Sequence, residues 1–145
     1  MMCELCQKKP EQALWHDDKL FIIDANDPMF PGFLRVIWKE HIAEVSDLSE
    51  QDRDHLFKVL NIVECVMRET MAPDKINWAQ FGNMVPHLHW HMIPRYKSDS
   101  HFPESVWGTK QRAVNENELK QHQILASRLL QALPVRLAQK FAPEK

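Results

Sequence analysis

Residues 87–95 read HLHWHMIPR and place a histidine at every second position between 87 and 91. Successive side chains of a β-strand point to opposite faces, so His87, His89 and His91 are expected to share one face. The residues that share the other face are Leu88, Trp90 and Met92. A chain with this strand must form a sheet that is covered on its apolar side and leaves the histidine side at a cleft or at solvent.

Four more strands are predicted before this one, each bounded by turn residues or by proline. They are Ala13–His16, Leu20–Asp24, the FLRVIW segment at 33–38 and the KINWAQF segment at 75–81. The links between the first three strands are too short for the crossover that a parallel pair needs. The sequence therefore predicts an antiparallel sheet of five strands.

Two helices complete the predicted fold. The first begins after Ser49, a good N-cap, and carries an apolar stripe at three- and four-residue steps until Pro73 ends it. The second covers the ENELKQHQILASRLLQAL segment and is expected to end at Pro134. The expected fold class is α+β: a five-stranded antiparallel sheet with a long helix packed on it and a C-terminal helix. Residues 1–110 are expected to form one domain, and residues 111–145 a C-terminal helical extension packed on or near the same domain.

Composition argues against several classes of protein. The 145 residues are 44% hydrophobic, which suffices for one domain with a core, and the formal net charge of -2 predicts no basic surface for nucleic acid. No apolar run is long enough to cross a bilayer, and the first residues lack the apolar stretch of a signal peptide, so a cytoplasmic protein is expected. The 3 glycines form no phosphate-binding loop, and an odd number of cysteines, 3, argues against a disulfide framework.

Three interpretations fit the histidine face. An exposed strand could carry these residues by chance, which is improbable in a chain with 8 histidines. A His-x-His pair on a strand can chelate a metal ion, although no carboxylate lies nearby in the sequence to complete a zinc hydrolase. A neutral imidazole can also attack phosphorus while its neighbours hydrogen-bond to the phosphoryl oxygens. Only this last interpretation uses all three side chains.

The HLHWHMI segment resembles the signature of the histidine triad (HIT) superfamily of nucleotide hydrolases and transferases. The resemblance continues through PGFLRVIWKEHIAEVSDLSEQD and INWAQFGNMVP before the segment, and through IPR at its end. GNMVP and VWG are most similar to the bacterial branch of diadenosine-polyphosphate-hydrolase-like proteins. The resemblance implies a HIT-like fold. It also implies hydrolysis or transfer of nucleotides from phosphate anhydrides or phosphoramidates, such as diadenosine polyphosphates, through a covalent nucleotidyl-histidine.

The same resemblance implies roles for individual residues. His89 matches the nucleophile, and His91 matches the histidine that contacts phosphate and assists the leaving group. His87 matches the first histidine, which hydrogen-bonds in the site or, in some branches, binds zinc. The residues expected to contact the nucleotide are Asn83, Asn77, Asp24, Asn26 and Trp107. A small nucleotide is the expected partner, a homodimer is the expected assembly, and catalysis is expected to need no cofactor.

The chain departs from the family pattern at three positions. Phe33 stands where much of the family has histidine, Trp38 replaces a proline, and Met84 stands where several branches have serine or threonine. These departures bear on substrate preference more than on the type of reaction.

Cys3 and Cys6 form a C-x-x-C motif. With His41 and His87 they resemble the structural zinc site of some bacterial HIT proteins and of the galactose-phosphate uridylyltransferases. Two thiolates and two imidazoles make a tetrahedral set that suits zinc. A structural zinc ion is therefore expected, and the alternative is a reduced pair of cysteines.

The sequence leaves two other functions open. A nucleotide-binding or sensor protein would use the histidines to hold a ligand with little turnover. A zinc-dependent hydrolase would use the His-x-His strand to bind its catalytic ion.

Overall fold

The computed structural model describes residues 3–141. An antiparallel sheet of five strands, in the order β1-β2-β3-β5-β4, lies beside two long helices. The strands are β1 (Trp15–His16), β2 (Leu20–Asp24), β3 (Leu34–Trp38), β4 (Lys75–Ala79) and β5 (His89–Arg95). The helices are α1 (Glu50–Met71) and α2 (Glu116–Lys140), with short 3-10 turns at Leu5–Gln7, Pro10–Gln12 and Val45–Asp47. The predicted α+β fold class is confirmed, and no helix among residues 3–141 is long and apolar enough to span a membrane.

Four strands, β1, β3, β4 and β5, are shorter than the sequence predicted. β1 is limited to Trp15–His16 because a 3-10 turn, Pro10–Gln12, precedes it. β5 begins at His89, because His87 lies in a turn where its backbone N–H bonds to a carbonyl two residues back. The alternation of faces still holds before the strand, since Leu88 is fully buried in the main core.

α1 begins and ends where its terminal residues predict. The Ser49 hydroxyl accepts a hydrogen bond from the backbone N–H of Asp52 at 3.1 Å, which satisfies one of the free donors of the first turn. Ala72 adopts the left-handed conformation after the last turn, and Pro73 follows it. The buried residues of the helix form the predicted stripe: Leu56, Val59, Leu60, Val63, Val66, Met67 and Met71.

The two faces of the sheet have different neighbours. The residues of the central strands on the side of α1 belong to the main core: Leu34, Val36, Trp38, Leu88, Trp90 and Met92. On the opposite face, Phe21 and Ile37 pack against Leu5 of the N-terminal segment. The histidine side of β5 is thus separated from the helices, as the alternation predicted.

α2 packs on α1 and places Leu129, Leu133 and Leu137 in the same core. The expectation that Pro134 ends this helix is wrong, because the helix continues to Lys140. A proline inside a helix costs about 3 kcal/mol. Leu137 lies one turn beyond the proline and is fully buried, so its burial offsets much of that cost. The C-terminal segment therefore shares the core of the rest of the chain.

Candidate active site

The strand register places the histidines between β3 and β4. In the antiparallel ladder Ile37 lies opposite His89, and both Arg35 and Ala79 lie opposite His91. Side chains directly opposite each other share a face, with about 5 Å between their Cβ atoms. The ring centroids of His89 and His91 are 5.0 Å apart. The two rings therefore form a continuous row whose neighbours are set by the pairing of three strands.

One hydrogen bond fixes the position of the proton on His89. Nδ1 of His89 lies 2.7 Å from the carbonyl oxygen of His87. A carbonyl oxygen only accepts, so Nδ1 carries the hydrogen and donates it. In the neutral ring this leaves a lone pair on Nε2. His89 is half-buried and lines a cavity, so it can present that lone pair to a ligand.

His91 is more deeply buried, with 9% of its surface exposed, and its Nδ1 has no hydrogen-bond partner among the described residues. Burial, with contributions from the nearby charges of His89 and Arg35, lowers the pKa of His91 to about 4. The ring is therefore neutral at pH 7 and carries one N–H. A ligand in the cavity can supply the partner that this buried ring lacks.

Two aromatic side chains pack on His91, and a third packs on one of them. The ring centroids of Trp107 and Phe33 lie 4.9 and 5.6 Å from that of His91, both edge-to-face. Phe81 packs on Trp107 with 5.4 Å between centroids. The buried Phe33 ring thus gives His91 an apolar neighbour.

A cavity of about 500 Å³ opens over the histidine row. Small-molecule sites commonly measure about 300–1,000 Å³. The cavity brings together four of the predicted site residues: His89, His91, Asn83 and Trp107. Gly82, with a φ of +74°, turns the loop before β5 through a conformation that favours glycine. This turn places Asn83 and Met84 at the rim of the cavity.

Three predicted nucleotide contacts lie outside that cavity. Asn77 lines an adjacent cavity, where its Oδ1 accepts a hydrogen bond from the buried Arg95 at 2.8 Å. Asp24 and Asn26 line a third depression. There the Asp24 carboxylate accepts a hydrogen bond from the backbone N–H of Asn26 at 2.8 Å. The roles of these residues in nucleotide binding stay predictions.

Cys3, Cys6, His41 and His87 come together, with one ligand atom from each residue inside a group that spans at most 4.8 Å. The Nδ1 atoms of His41 and His87 are 3.2 Å apart, and the Cys6 Sγ lies 3.3 and 3.4 Å from them. Zinc with ordinary bond lengths holds its tetrahedral nitrogen and sulfur ligands roughly 3.3–3.8 Å apart. The four side chains therefore fit a zinc ion.

The two ring nitrogens of His87 have different partners. Nε2 donates a hydrogen bond to the carbonyl oxygen of Trp38, which leaves the lone pair of Nδ1 facing the two thiols. Burial is the main reason that the pKa of His87 is lowered, so its ring is neutral at pH 7. A neutral imidazole oriented by a backbone carbonyl is the usual form of a metal-binding histidine. The His87 ring thus faces the cysteines, and it is not among the residues that line the cavity.

Arg35 is a candidate site residue that the sequence patterns missed. It lines the same cavity as His89 and His91, and its Nε is buried without a hydrogen-bond partner among the described residues. The available signal was a single charge within the apolar segment FLRVIW. Only the pairing of β3 with β5 shows that this charge lies opposite His91.

Comparisons with known proteins identify the family of this domain. Residues 7–98 match the family model of the HIT domain. Bis(5'-adenosyl)-triphosphatase of Saccharomyces cerevisiae is 29% identical over 93 residues, a match that covers 60% of this chain and 45% of the yeast protein. The asymmetrical Bis(5'-nucleosyl)-tetraphosphatase of Schizosaccharomyces pombe is 29% identical over 97 residues, which cover 63% of this chain and 52% of that protein. The chain therefore spans about half the length of these relatives.

Solved structures extend the likeness to the fold. A histidine triad protein from Bradyrhizobium japonicum is 27% identical with a TM-score of 0.65, and the match covers 81% of this chain and 89% of that one. A histidine triad protein from Sinorhizobium meliloti is 28% identical with a TM-score of 0.66, and the match covers 82% and 87%. Sequence and backbone thus lead to the same group of proteins.

Proposed function

Because the chain belongs to the HIT domain family, we propose that it hydrolyses nucleoside phosphate anhydrides or phosphoramidates through a nucleotidyl group held on His89. The observation that supports this most directly is the hydrogen bond from His89 Nδ1 to the carbonyl oxygen of His87. It leaves the Nε2 lone pair free beside a cavity of suitable size for a nucleotide. The names of the curated relatives favour dinucleoside polyphosphates as the substrate class.

The proposed reaction has two steps. In the first, His89 Nε2 attacks the phosphorus next to the nucleoside, and the bond from phosphorus to the leaving group breaks. The electron pair of that bond leaves with the leaving group. In the second, water attacks the same phosphorus, and the phosphorus–nitrogen bond breaks and returns its pair to Nε2. Overall, water supplies a hydroxyl to the phosphorus and a proton to the leaving group, and a nucleoside monophosphate is released.

His91 is suited to assist both steps. Its ring is neutral, lines the cavity and lies 5.0 Å from the ring of His89, measured between centroids. The N–H of a neutral imidazole can donate to a phosphoryl oxygen where negative charge develops. Because the site around the ring is aromatic, that hydrogen bond competes with little water.

Replacement of the nucleophile tests the proposal. We expect His89→Ala to lower AMP release from diadenosine triphosphate and from a fluorogenic adenosine phosphoramidate by about 1,000-fold or more. The matched control is His16→Ala, since His16 is exposed on β1. Acid-quenched wild-type reactions should also contain an adenylated peptide that includes His89. A variant that keeps wild-type turnover would rule out the covalent route.

The same assay separates hydrolysis from ligand binding alone. A sensor with little turnover would bind adenosine nucleotides but release no AMP from either substrate. The free lone pair on His89 Nε2 favours the hydrolase, because ligand binding by itself does not require a nucleophile.

We also propose that Cys3, Cys6, His41 and His87 bind zinc and that the ion is structural. Four protein ligands would fill the tetrahedral set that zinc prefers in structural sites, which would leave no open position for a catalytic water. The zinc-dependent hydrolase is less well supported, because the cluster of Cys3, Cys6, His41 and His87 is the one group of three or more ligand side chains among residues 3–141, so no further ligand completes a catalytic ion at His89 and His91. The Nδ1 of His89 is held by a backbone carbonyl, and the His87 ring faces the thiols.

We further propose that the protein is a homodimer. β4 is an edge strand of the sheet, with unpaired backbone groups along its outer side. Trp78 of this strand stacks with Phe57 of α1 at 6.4 Å between centroids, and the two are 39% and 47% exposed. An edge strand beside exposed aromatic side chains is a surface that proteins usually cover. A monomer mass in analytical ultracentrifugation would contradict the dimer.

A further inference from the structure

Arg35 occupies an unusual place in the sheet. It lies in the middle of β3, on the face that carries the histidines, directly opposite His91 on one side and Ile23 on the other. Its neighbours on the same strand face are Phe33 and Ile37, both buried. A half-buried cation thus stands in a largely apolar row beside the cavity.

The charge of Arg35 has no counterion among residues 3–141. None of the ion pairs in this part of the chain involves Arg35, and its buried Nε donates to no described atom. Glu4 contributes the only carboxylate among the described residues that line the cavity. Glu4 and Arg35 do not form an ion pair. Burying a donor without an acceptor costs about 1–3 kcal/mol, and the cost is higher for a charged group. A ligand in the cavity is one partner that can complete such a group.

The missing partner is an anion of a particular shape. A guanidinium group offers two parallel N–H donors that match two oxygens of one phosphate. Arg35 lines the same cavity as His89 and His91. These are the two rings that we propose act on the phosphate of the substrate. A phosphate group of the substrate therefore fits the partner that Arg35 lacks.

The strand register indicates which phosphate this is. Arg35 pairs with His91, whereas Ile37 pairs with His89, the proposed nucleophile. Residues two apart on a strand are separated by about 7 Å, so the Arg35 position is displaced from the nucleophile toward the side of His91. In the polyphosphate of the substrate, the phosphate nearest to Arg35 is therefore expected to be the neighbour of the phosphate that His89 attacks.

We propose that Arg35 binds the phosphate of the leaving group and makes the site selective for substrates whose leaving group carries one. This inference rests on the proposed function and specifies its substrate class as polyphosphate anhydrides. When the bridging phosphorus–oxygen bond breaks, its electron pair stays on the leaving phosphate, and Arg35 faces the charge that develops there. A phosphoramidate with an amine leaving group has no group in that position.

Two substrates measured on one variant test the selectivity. Arg35→Leu should lower kcat/KM for diadenosine triphosphate by roughly 10- to 100-fold, the loss expected for charged hydrogen bonds. The same variant should change kcat/KM for an adenosine phosphoramidate of a neutral amine by less than about threefold. Arg35→Lys keeps the charge without the paired donors and should fall between Arg35→Leu and the wild type. Equal losses on both substrates, or no loss on either, would overturn the proposal.

Thermal unfolding separates this role from a structural one. Leucine continues the apolar row of Phe33 and Ile37, so Arg35→Leu should leave Tm unchanged or raise it. A marked fall in Tm together with equal kinetic losses would make Arg35 a structural residue. The control for a lost surface charge is Arg68→Leu, because Arg68 is exposed on α1. This variant should keep the wild-type kcat/KM for both substrates.

A binding measurement keeps the result independent of turnover. In a His89→Ala background, calorimetry should show that ADP binds more tightly than AMP, and adding Arg35→Leu should abolish the difference. If the wild-type protein hydrolyses neither substrate but this preference for ADP appears and depends on Arg35, the proposed function fails while the phosphate contact stands. If ADP and AMP bind equally before Arg35 is replaced, the phosphate contact fails.

Discussion

Burial of His91 makes the stability of the protein depend on pH. Its pKa is about 4 in the folded chain, mainly because the ring is desolvated, against 6.5 for a solvated histidine. Between these two values the unfolded chain binds a proton that the folded chain does not bind. The folded state therefore loses stability as the pH falls from about 6.5 to about 4, by up to roughly 3 kcal/mol.

The direction of this pH dependence can be tested by replacing His91. His91→Gln removes the titrating group, so the free energy of unfolding of this variant should fall less between pH 6.5 and pH 4 than that of the wild type. Urea denaturation at several pH values measures the difference, which should approach about 3 kcal/mol at the acid end. His16→Gln removes an exposed histidine and should keep the wild-type slope. Parallel slopes for His91→Gln and the wild type would show that His91 does not cause the dependence.

The positions of side chains were predictable where they follow from local alternation. The two-residue period of a strand was enough to predict that His89 and His91 share a face, and both line the same cavity. Arg35 could not be assigned in this way, because its importance arises from pairing with a strand more than 50 positions later in the sequence. The placement of Asn26 depends on the loop after β2, where its backbone N–H donates to the carboxylate of Asp24 at the end of that strand.

At the level of single elements, local rules predicted the ends of α1 but not the end of α2. Ser49 caps α1 as expected from its side-chain chemistry. Pro134 fails to end α2 because Leu133 and Leu137, on either side of it, are both fully buried in the core. Burial against α1 therefore outweighs the local preference, and that contact is not visible in the α2 segment alone.

Pro134→Ala should stabilise the protein. The substitution restores one backbone N–H to the helix and removes the clash of the ring with the preceding turn. We expect the free energy of unfolding to rise by about 1–2 kcal/mol, since part of the helical gain of about 3 kcal/mol is lost to a more flexible unfolded chain. Chemical denaturation measures this, with Val135→Ala as the control because Val135 is exposed in the same turn. A fall in stability would mean that the proline ring itself makes favourable contacts.

For the whole molecule, the sequence predicted the sheet, both helices and the cluster of four side chains that we propose as zinc ligands. The metal set came from family resemblance, because a single C-x-x-C motif does not identify its distant partners. The structure brings Cys3 and Cys6 to within 3.5 Å of His87, and no local rule could have given that contact. Long-range packing determines it.

Removal of zinc should therefore affect the stability of the entire fold. Purified protein is expected to contain one zinc ion per chain by elemental analysis. A strong chelator, or Cys6→Ser, should lower the free energy of unfolding by about 3 kcal/mol or more, which corresponds to a fall in Tm of roughly 10 °C. The control is Cys65→Ser, because Cys65 lies on α1, apart from the cluster.

The outcome also distinguishes the two uses of the metal. If the ion is structural, protein kept below its lowered Tm should retain hydrolysis in the presence of the chelator. Immediate loss of hydrolysis with an unchanged Tm would instead indicate a catalytic ion.

The distance in sequence between the proposed zinc ligands has a consequence for the order of folding. Cys3 and His87 are 84 positions apart, and contacts of such separation form late because the ends of a long loop must first meet. Glu4 and Leu5, which lie next to the cysteines, form part of the wall of the cavity. A growing chain on the ribosome cannot complete this wall until β5 has been synthesised and paired. The proposed activity should thus appear at the end of folding, after α1 is in place.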